Sequence, residues 1–164
     1  MNTPPIATDA LSRQIARLAL LATGAAALGL IGMVAAQAWQ VLARYALNAS
    51  PSWTEPLTLV CLSTTLAFGA AAGVHARSHF SFPLLVLLLP PPWQRVLARI
   101  AGLVIAAIGL LLAWYASQLA WDGLFIPMAG APLPQSAAFI PLALGGALMA
   151  LFALAQLRST EEKA

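Results

Sequence analysis

Charge is scarce in this 164-residue chain: only 8% of its residues are Asp, Glu, Lys or Arg, while 61% are hydrophobic. Soluble domains carry about 25% charged residues, and a soluble protein of this size could not cover its surface with so few. The composition therefore excludes an ordinary soluble domain. It also argues against nucleic-acid binding, because no basic stripe with interleaved aromatic residues is present.

Cysteine is nearly absent too. The single Cys61 excludes a disulfide within the chain and lies in an apolar run, where a buried structural thiol is the expected role. No charged side chain lies in the middle of a long apolar run, which argues against a proton relay, an ion site or a channel formed by this chain alone. No nucleophile–base pair or metal-ligand cluster lies at one membrane depth. We therefore expect no enzymatic activity, no cofactor and no bound metal.

The chain is instead dominated by long apolar runs without charge. A hydrocarbon core about 30 Å thick requires roughly 20 apolar residues of helix, and four segments meet that length. The sequence thus predicts an all-α, polytopic membrane protein with four transmembrane helices, which form a single four-helix membrane domain over residues 1–164. The approximate spans are 15–43, 53–75, 95–121 and 135–157.

The distribution of basic residues predicts the orientation. If the N-terminus is cytoplasmic, seven of the eight Lys and Arg residues lie inside and only Arg44 lies outside. Four spans then place the C-terminus in the cytoplasm as well. Residues 80–90 are apolar but too short to span, and prolines bound them. They predict a short interfacial helix between helices 2 and 3.

Two further patterns predict how the helices are held. Trp93, Arg95 and Arg99 resemble anchors at the membrane interface, since the two arginines are four residues apart and share a helix face. Gly69 and Gly73 form a GxxxG pattern, which permits a second helix to approach closely. We interpret these glycines as helix-packing residues.

The predicted outer turn between helices 1 and 2 carries several polar residues. Ser52 with Glu55 three residues later fits a capping box at the start of helix 2. Arg44 and Glu55 flank the turn, where they either pair with each other or contact an extracytoplasmic partner. Together with Trp53, they are the predicted partner interface.

His75 and His79 are four residues apart and would share a helix face. They could be side chains near lipid headgroups or a ligand pair. The second reading makes the chain the membrane anchor of a redox complex that binds haem or quinone. A small oligomeric channel is a third alternative, but it would need polar pore-lining residues that the spans lack.

The stretch from Arg44 to Glu55 also carries a resemblance. Its Arg-Tyr, Asn and Trp-Thr-Glu, in that order, resemble the outer turn of the small permease subunit of tripartite ATP-independent periplasmic (TRAP) transporters, the DctQ-like family. Gly145-Gly146-Ala147-Leu148-Met149, with Pro141 before it, is similar to that family's fourth helix. The sequence departs from the family pattern at Pro56, where a second Glu is typical, and at Phe82, where an acidic residue is common.

The resemblance implies a role as the small membrane (Q-type) subunit of a TRAP-type secondary importer in the bacterial inner membrane. Such a subunit would scaffold the large (M-type) permease subunit and help dock a periplasmic substrate-binding protein, for ion-gradient-driven uptake of organic acids. The partners implied are the large subunit, the binding protein and membrane lipids.

Overall fold

The computed structural model describes residues 6–49, 51–76 and 91–161. In these ranges the chain forms four long α-helices and a 3-10 turn at Gly123–Phe125, and it contains no β-strand. The predicted all-α fold with four long apolar helices is confirmed. The helices are α1 (Ile6–Ala46), α2 (Thr54–His75), α3 (Pro91–Asp122) and α4 (Ser136–Glu161).

Each helix contains a segment long and apolar enough to cross a membrane. The two shortest candidate spans have 22 residues, which at about 1.5 Å per residue reach roughly 33 Å. The predicted interfacial helix over 80–90 lies outside the described residues, and the cytoplasmic placement of the termini stays a prediction. The candidate spans are Ser12–Ala46, Thr54–His75, Val96–Phe125 and Ser136–Leu157.

The helices stand in a row in the order α1, α2, α4, α3. Extensive contacts join α1 to α2, α2 to α4 and α4 to α3, and no comparable contact among the described residues joins α1 to α3 or α4. Residues two positions apart on an α-helix are rotated by about 200° around its axis, so their side chains point to nearly opposite sides. For this reason Thr65 of α2 faces α1 while Ala67 faces α4.

Small residues at seven-residue intervals hold the row together. In α1 the buried positions include Ala22, Gly29, Ala36 and Ala43, all on one face. With so little side chain between them, neighbouring backbones approach closely, and in a membrane such packing is the main force between helices. An added Cβ at Gly29 would lie 2.7 Å from Thr65 Oγ1 and 2.9 Å from the Cys61 carbonyl oxygen.

The helices α3 and α4 also cross closely, backbone against backbone. An added Cβ at Gly109 would lie 2.8 Å from the Gly146 carbonyl oxygen, and one at Gly146 would lie 2.8 Å from the Gly109 carbonyl oxygen. The preceding Gly145 faces α2 instead, where an added Cβ would lie 2.7 Å from the Ala67 carbonyl carbon. The Gly145-Gly146 pair therefore allows the central helix α4 to approach both neighbours at once.

In the described part of the chain, side-chain hydrogen bonds also join neighbouring helices. Gln37 Nε2 donates to Thr58 Oγ1 over 3.4 Å between α1 and α2. The Gln156 amide of α4 donates to the carbonyl oxygens of Val74 (2.6 Å) and His75 (3.2 Å) at the end of α2. Both carbonyls belong to the last turn of α2, where carbonyl groups lack their usual donors within the helix, so Gln156 serves as a cap supplied by the neighbouring helix.

Candidate partner-binding surface

Two connections lie at the same end of the row, which we call the loop end: the described residues 47–49 and 51–53 between α1 and α2, and residues 123–135 between α3 and α4. In the first connection Asn48 has a left-handed conformation, φ 51°, which Asn adopts more readily than most residues. The Ala49 amide then donates to the Ala43 carbonyl oxygen at 3.1 Å. This bond turns the chain sharply out of α1.

The second connection is a hairpin-like loop. The Met128 amide donates to the Leu133 carbonyl oxygen (2.7 Å), and the Gln135 amide donates to the Ile126 carbonyl oxygen (2.9 Å). The prolines at 127, 132 and 134 fix several φ angles in this stretch. Gly130 at its tip has φ 88°, a value that residues with a Cβ rarely adopt.

Ser52 joins the two connections. Its hydroxyl donates to the Gly130 carbonyl oxygen at 3.1 Å, and a Cβ at Gly130 would collide with the Ser52 carbonyl oxygen. The predicted capping box is therefore wrong: α2 begins at Thr54, and no side chain caps its N-terminus. Ser52 instead holds the two connections together, and Thr54 donates to the Pro51 carbonyl oxygen at 2.9 Å.

The three residues predicted to meet a partner lie at this end. Arg44 is in the last turn of α1 and Glu55 in the first turn of α2, and both are exposed. Trp53, between them in sequence, is 45% exposed. Among the described residues, no ion pair joins Arg44 to Glu55. The loop end thus presents two opposite charges and an indole to its surroundings.

A groove runs from the loop end along the seam between α2 and α4, with a volume of ≈ 550 Å³. Its α2 wall is a stripe on one helix face, from Glu55 through Leu59 and Leu62 to Leu66. Its opposite wall comes from α4 and the loop before it, including Met128, Ala129, Gln135, Ala138, Phe139 and Leu142. We call it the α2/α4 groove.

The predicted anchors and packing glycines lie elsewhere. Trp93, in the first turn of α3, is 62% exposed, and Arg99 is exposed on the same helix. The side chain of Arg95 lies outside the described part. An added Cβ at Gly69 would lie 3.9 Å from the Ala26 Cβ, which is ordinary contact, and Gly73 lies one turn further along α2.

The histidine pair is only partly described. The His75 ring packs against Phe152 of α4, with ring centroids 5.2 Å apart, while His79 lies outside the described residues. In the part of the chain that the structure describes, no group of three His, Cys, Asp or Glu side chains could hold a metal ion.

Comparison with known proteins places the chain in a family. The family model of the DctQ component of tripartite ATP-independent periplasmic transporters matches residues 33–162, about four fifths of the chain. The chain belongs to this family. The DctQ component is the small permease subunit of TRAP transporters, so the predicted family, transport role and membrane location are confirmed at that level. No curated protein matches the chain.

Sequence reasoning missed three features of this DctQ component. The Ser52–Gly130 contact joins residues 78 positions apart, and only the positive φ expected of a loop glycine hints at it. The Gln156 cap joins α4 to α2 over a similar separation. The α2/α4 groove follows a run of leucines at four- and three-residue spacing, a pattern visible in the sequence but shared by ordinary lipid-facing helices.

Proposed function

We propose that this DctQ component is a scaffold subunit of a TRAP-type secondary importer in the bacterial inner membrane, where it supports the large permease subunit and helps dock a periplasmic substrate-binding protein. The observation that carries the proposal is the helix row. A row one helix thick leaves large apolar side chains exposed along its length, such as Leu28 (71%), Leu66 (59%) and Leu110 (57%). Such a shape offers a broad face to a membrane partner.

The loop end is the proposed docking side, facing the periplasm. The basic residues predict this orientation, because Arg44 is the only one expected at that end. Arg44, Trp53 and Glu55 then meet the binding protein. Ser52 and Gly130 support the proposal because they hold the two connections in a fixed relation, so the docking residues stand on a rigid base.

The opposite end is the proposed cytoplasmic side. Trp93, Arg95 and Arg99 would lie at headgroup depth there. Tryptophan and arginine at such positions fix the tilt of a helix. The tilt of α3 in turn sets the angle at which the row meets the large subunit.

The transported substrate and its coupling ions are proposed to bind the large subunit. The described spans of this chain pack through glycine and alanine backbones, an arrangement suited to a static support. Organic acids are the proposed substrates, as the family resemblance implies.

Purification of the chain from its native membrane in mild detergent, with mass spectrometry of the associated proteins, tests this role. We expect a much larger polytopic permease in stoichiometric amount. Recovery of the chain alone, as a homo-oligomer or with haem-bearing subunits would contradict the proposal. A reduced-minus-oxidised haem spectrum of the same sample then tests the redox-anchor alternative.

A further inference from the structure

We propose that the α2/α4 groove binds one acyl chain of a membrane phospholipid whose amine headgroup, as in phosphatidylethanolamine, pairs with Glu55. This goes beyond the scaffold role, and it gives the exposed Glu55 carboxylate a lipid contact in addition to the proposed contact with the binding protein. The groove volume of ≈ 550 Å³ lies in the range of small-molecule sites, about 300–1,000 Å³.

The length of the groove matches one leaflet. Its α2 wall runs from Glu55 to Leu66, which corresponds to about 16 Å at 1.5 Å per residue. This is close to half of a hydrocarbon core about 30 Å thick. A transmembrane helix of a partner would follow a seam through the whole core, whereas the chain of a lipid in the leaflet next to the loop end occupies half of it.

The walls of the groove suit an apolar occupant. Leu59, Leu62 and Leu66 are 52%, 37% and 59% exposed on the α2 side, and Phe139 and Leu142 face them from α4. Ser63, which also lines the groove, donates its hydroxyl to the Val60 carbonyl oxygen at 3.0 Å. Because this donor is already used within α2, nothing in the middle of the groove requires a polar ligand.

The mouth of the groove, unlike its apolar walls, carries a charge. The Glu55 carboxylate is exposed there and forms no ion pair with any described residue. A headgroup ammonium complements this charge, whereas phosphatidylglycerol brings no cation and its phosphate would be repelled. The charge at the mouth and the apolar interior thus select an amine-bearing lipid.

Site-specific photo-crosslinking tests the site. The DctQ component with its membrane partners is reconstituted in vesicles of equal phosphatidylethanolamine and phosphatidylglycerol, with a small aliphatic diazirine amino acid, close to leucine in size, at position 66. The control carries it at position 111 of α3, where Leu111 is 56% exposed and outside the groove. We expect lipid adducts at 66 enriched about threefold to fivefold in ethanolamine lipid over those at 111, and Glu55→Gln abolishes the enrichment.

Adducts to another protein at position 66, or equal lipid composition at 66 and 111, would overturn the proposal. A second measurement does not depend on the probe: native mass spectrometry of the purified complex with Leu62→Trp, which fills the groove, against Leu111→Trp. We expect the first variant to lose a retained phospholipid that the wild type and the second variant keep. Equal lipid retention in both variants would also refute the site. Intact association with the large subunit in these variants separates this outcome from a failure of the scaffold role.

Discussion

Replacing Gly146 with alanine tests whether backbone contact holds the helix row together. The new Cβ would lie 2.8 Å from the Ala113 amide nitrogen and from the Gly109 carbonyl oxygen. Both are backbone atoms of α3 and cannot move aside like the end of a flexible side chain. The two helices must therefore separate before the methyl group fits.

The expected cost follows from this geometry. Ordinary contact begins near 3.4 Å, so α3 and α4 must move apart by roughly 0.6 Å along the crossing, and overpacking of this kind costs about 1–3 kcal/mol. Alanine recovers about 1 kcal/mol because it is the better helix former. The net loss is about 0–2 kcal/mol, which for a chain of this size lowers Tm by at most about 8 °C.

Gly24→Ala is the matched control. Gly24 also lies inside a long helix, α1, but nothing lies within 4 Å of its added Cβ. This substitution keeps the gain in helix propensity without a collision, so we expect Tm to rise by about 2–4 °C. The Tm of both variants is measured by heating the fluorescently tagged chain in one detergent and monitoring the loss of folded protein by size-exclusion chromatography.

The direction of the two Tm shifts tests whether α3 and α4 cross at Gly146. If Gly146→Ala raises Tm as Gly24→Ala does, α3 and α4 do not cross at Gly146 and the described packing is wrong. The double variant Gly109→Ala/Gly146→Ala adds a second check. A single separation of the two helices accommodates both methyl groups, so the combined loss is smaller than the sum of the separate losses.

Three other outcomes follow from the described contacts. Glu55→Arg should weaken binding-protein docking about tenfold and reduce substrate uptake, with membrane insertion intact. The control Asp122→Arg, a charge reversal at the end of α3, should leave docking and uptake unchanged. Equal uptake in both variants would refute a specific role for Glu55. Gly130→Ala should lower Tm in the same assay, because it combines a left-handed φ with a collision against Ser52, and an unchanged Tm would contradict the described loop contact. Gln156→Met should cost about 1 kcal/mol, since it removes the cap on α2 but keeps the side-chain length, and hydrogen exchange at the end of α2 should then increase; unchanged protection there would rule out the cap.

The existence of the helices was predictable because it depends on local properties. A run such as 100–121 has no charge and is long enough to span, and no tertiary contact is needed to infer a helix from it. The resemblance of the stretch from Arg44 to Glu55 to the DctQ family was also readable, since it rests on the order of residues within one short segment. The family match over 33–162 agrees with it.

The pairing of the helices was not predictable, because small residues permit close contact but do not specify which helix makes it. Gly69 and Gly73 satisfied the GxxxG pattern, while close backbone approaches between the described helices lie at Gly29, Gly109 and the Gly145-Gly146 pair. Ser52 also shows that a local sequence pattern does not identify a distant contact. Its local pattern fitted a cap, but a carbonyl 78 residues away is its acceptor, and only the tertiary structure brings that group near.

The position of α4 within the row has a consequence for biogenesis. During synthesis α1 and α2 are made as one hairpin, and α3 waits for the helix that follows it. The helix α4 is made after α3 but lies between α2 and α3, and its Gly145 packs against Ala67 of the first hairpin. A premature stop before α4 would remove the middle of the assembly and leave α3 without the neighbour that links it to the first hairpin.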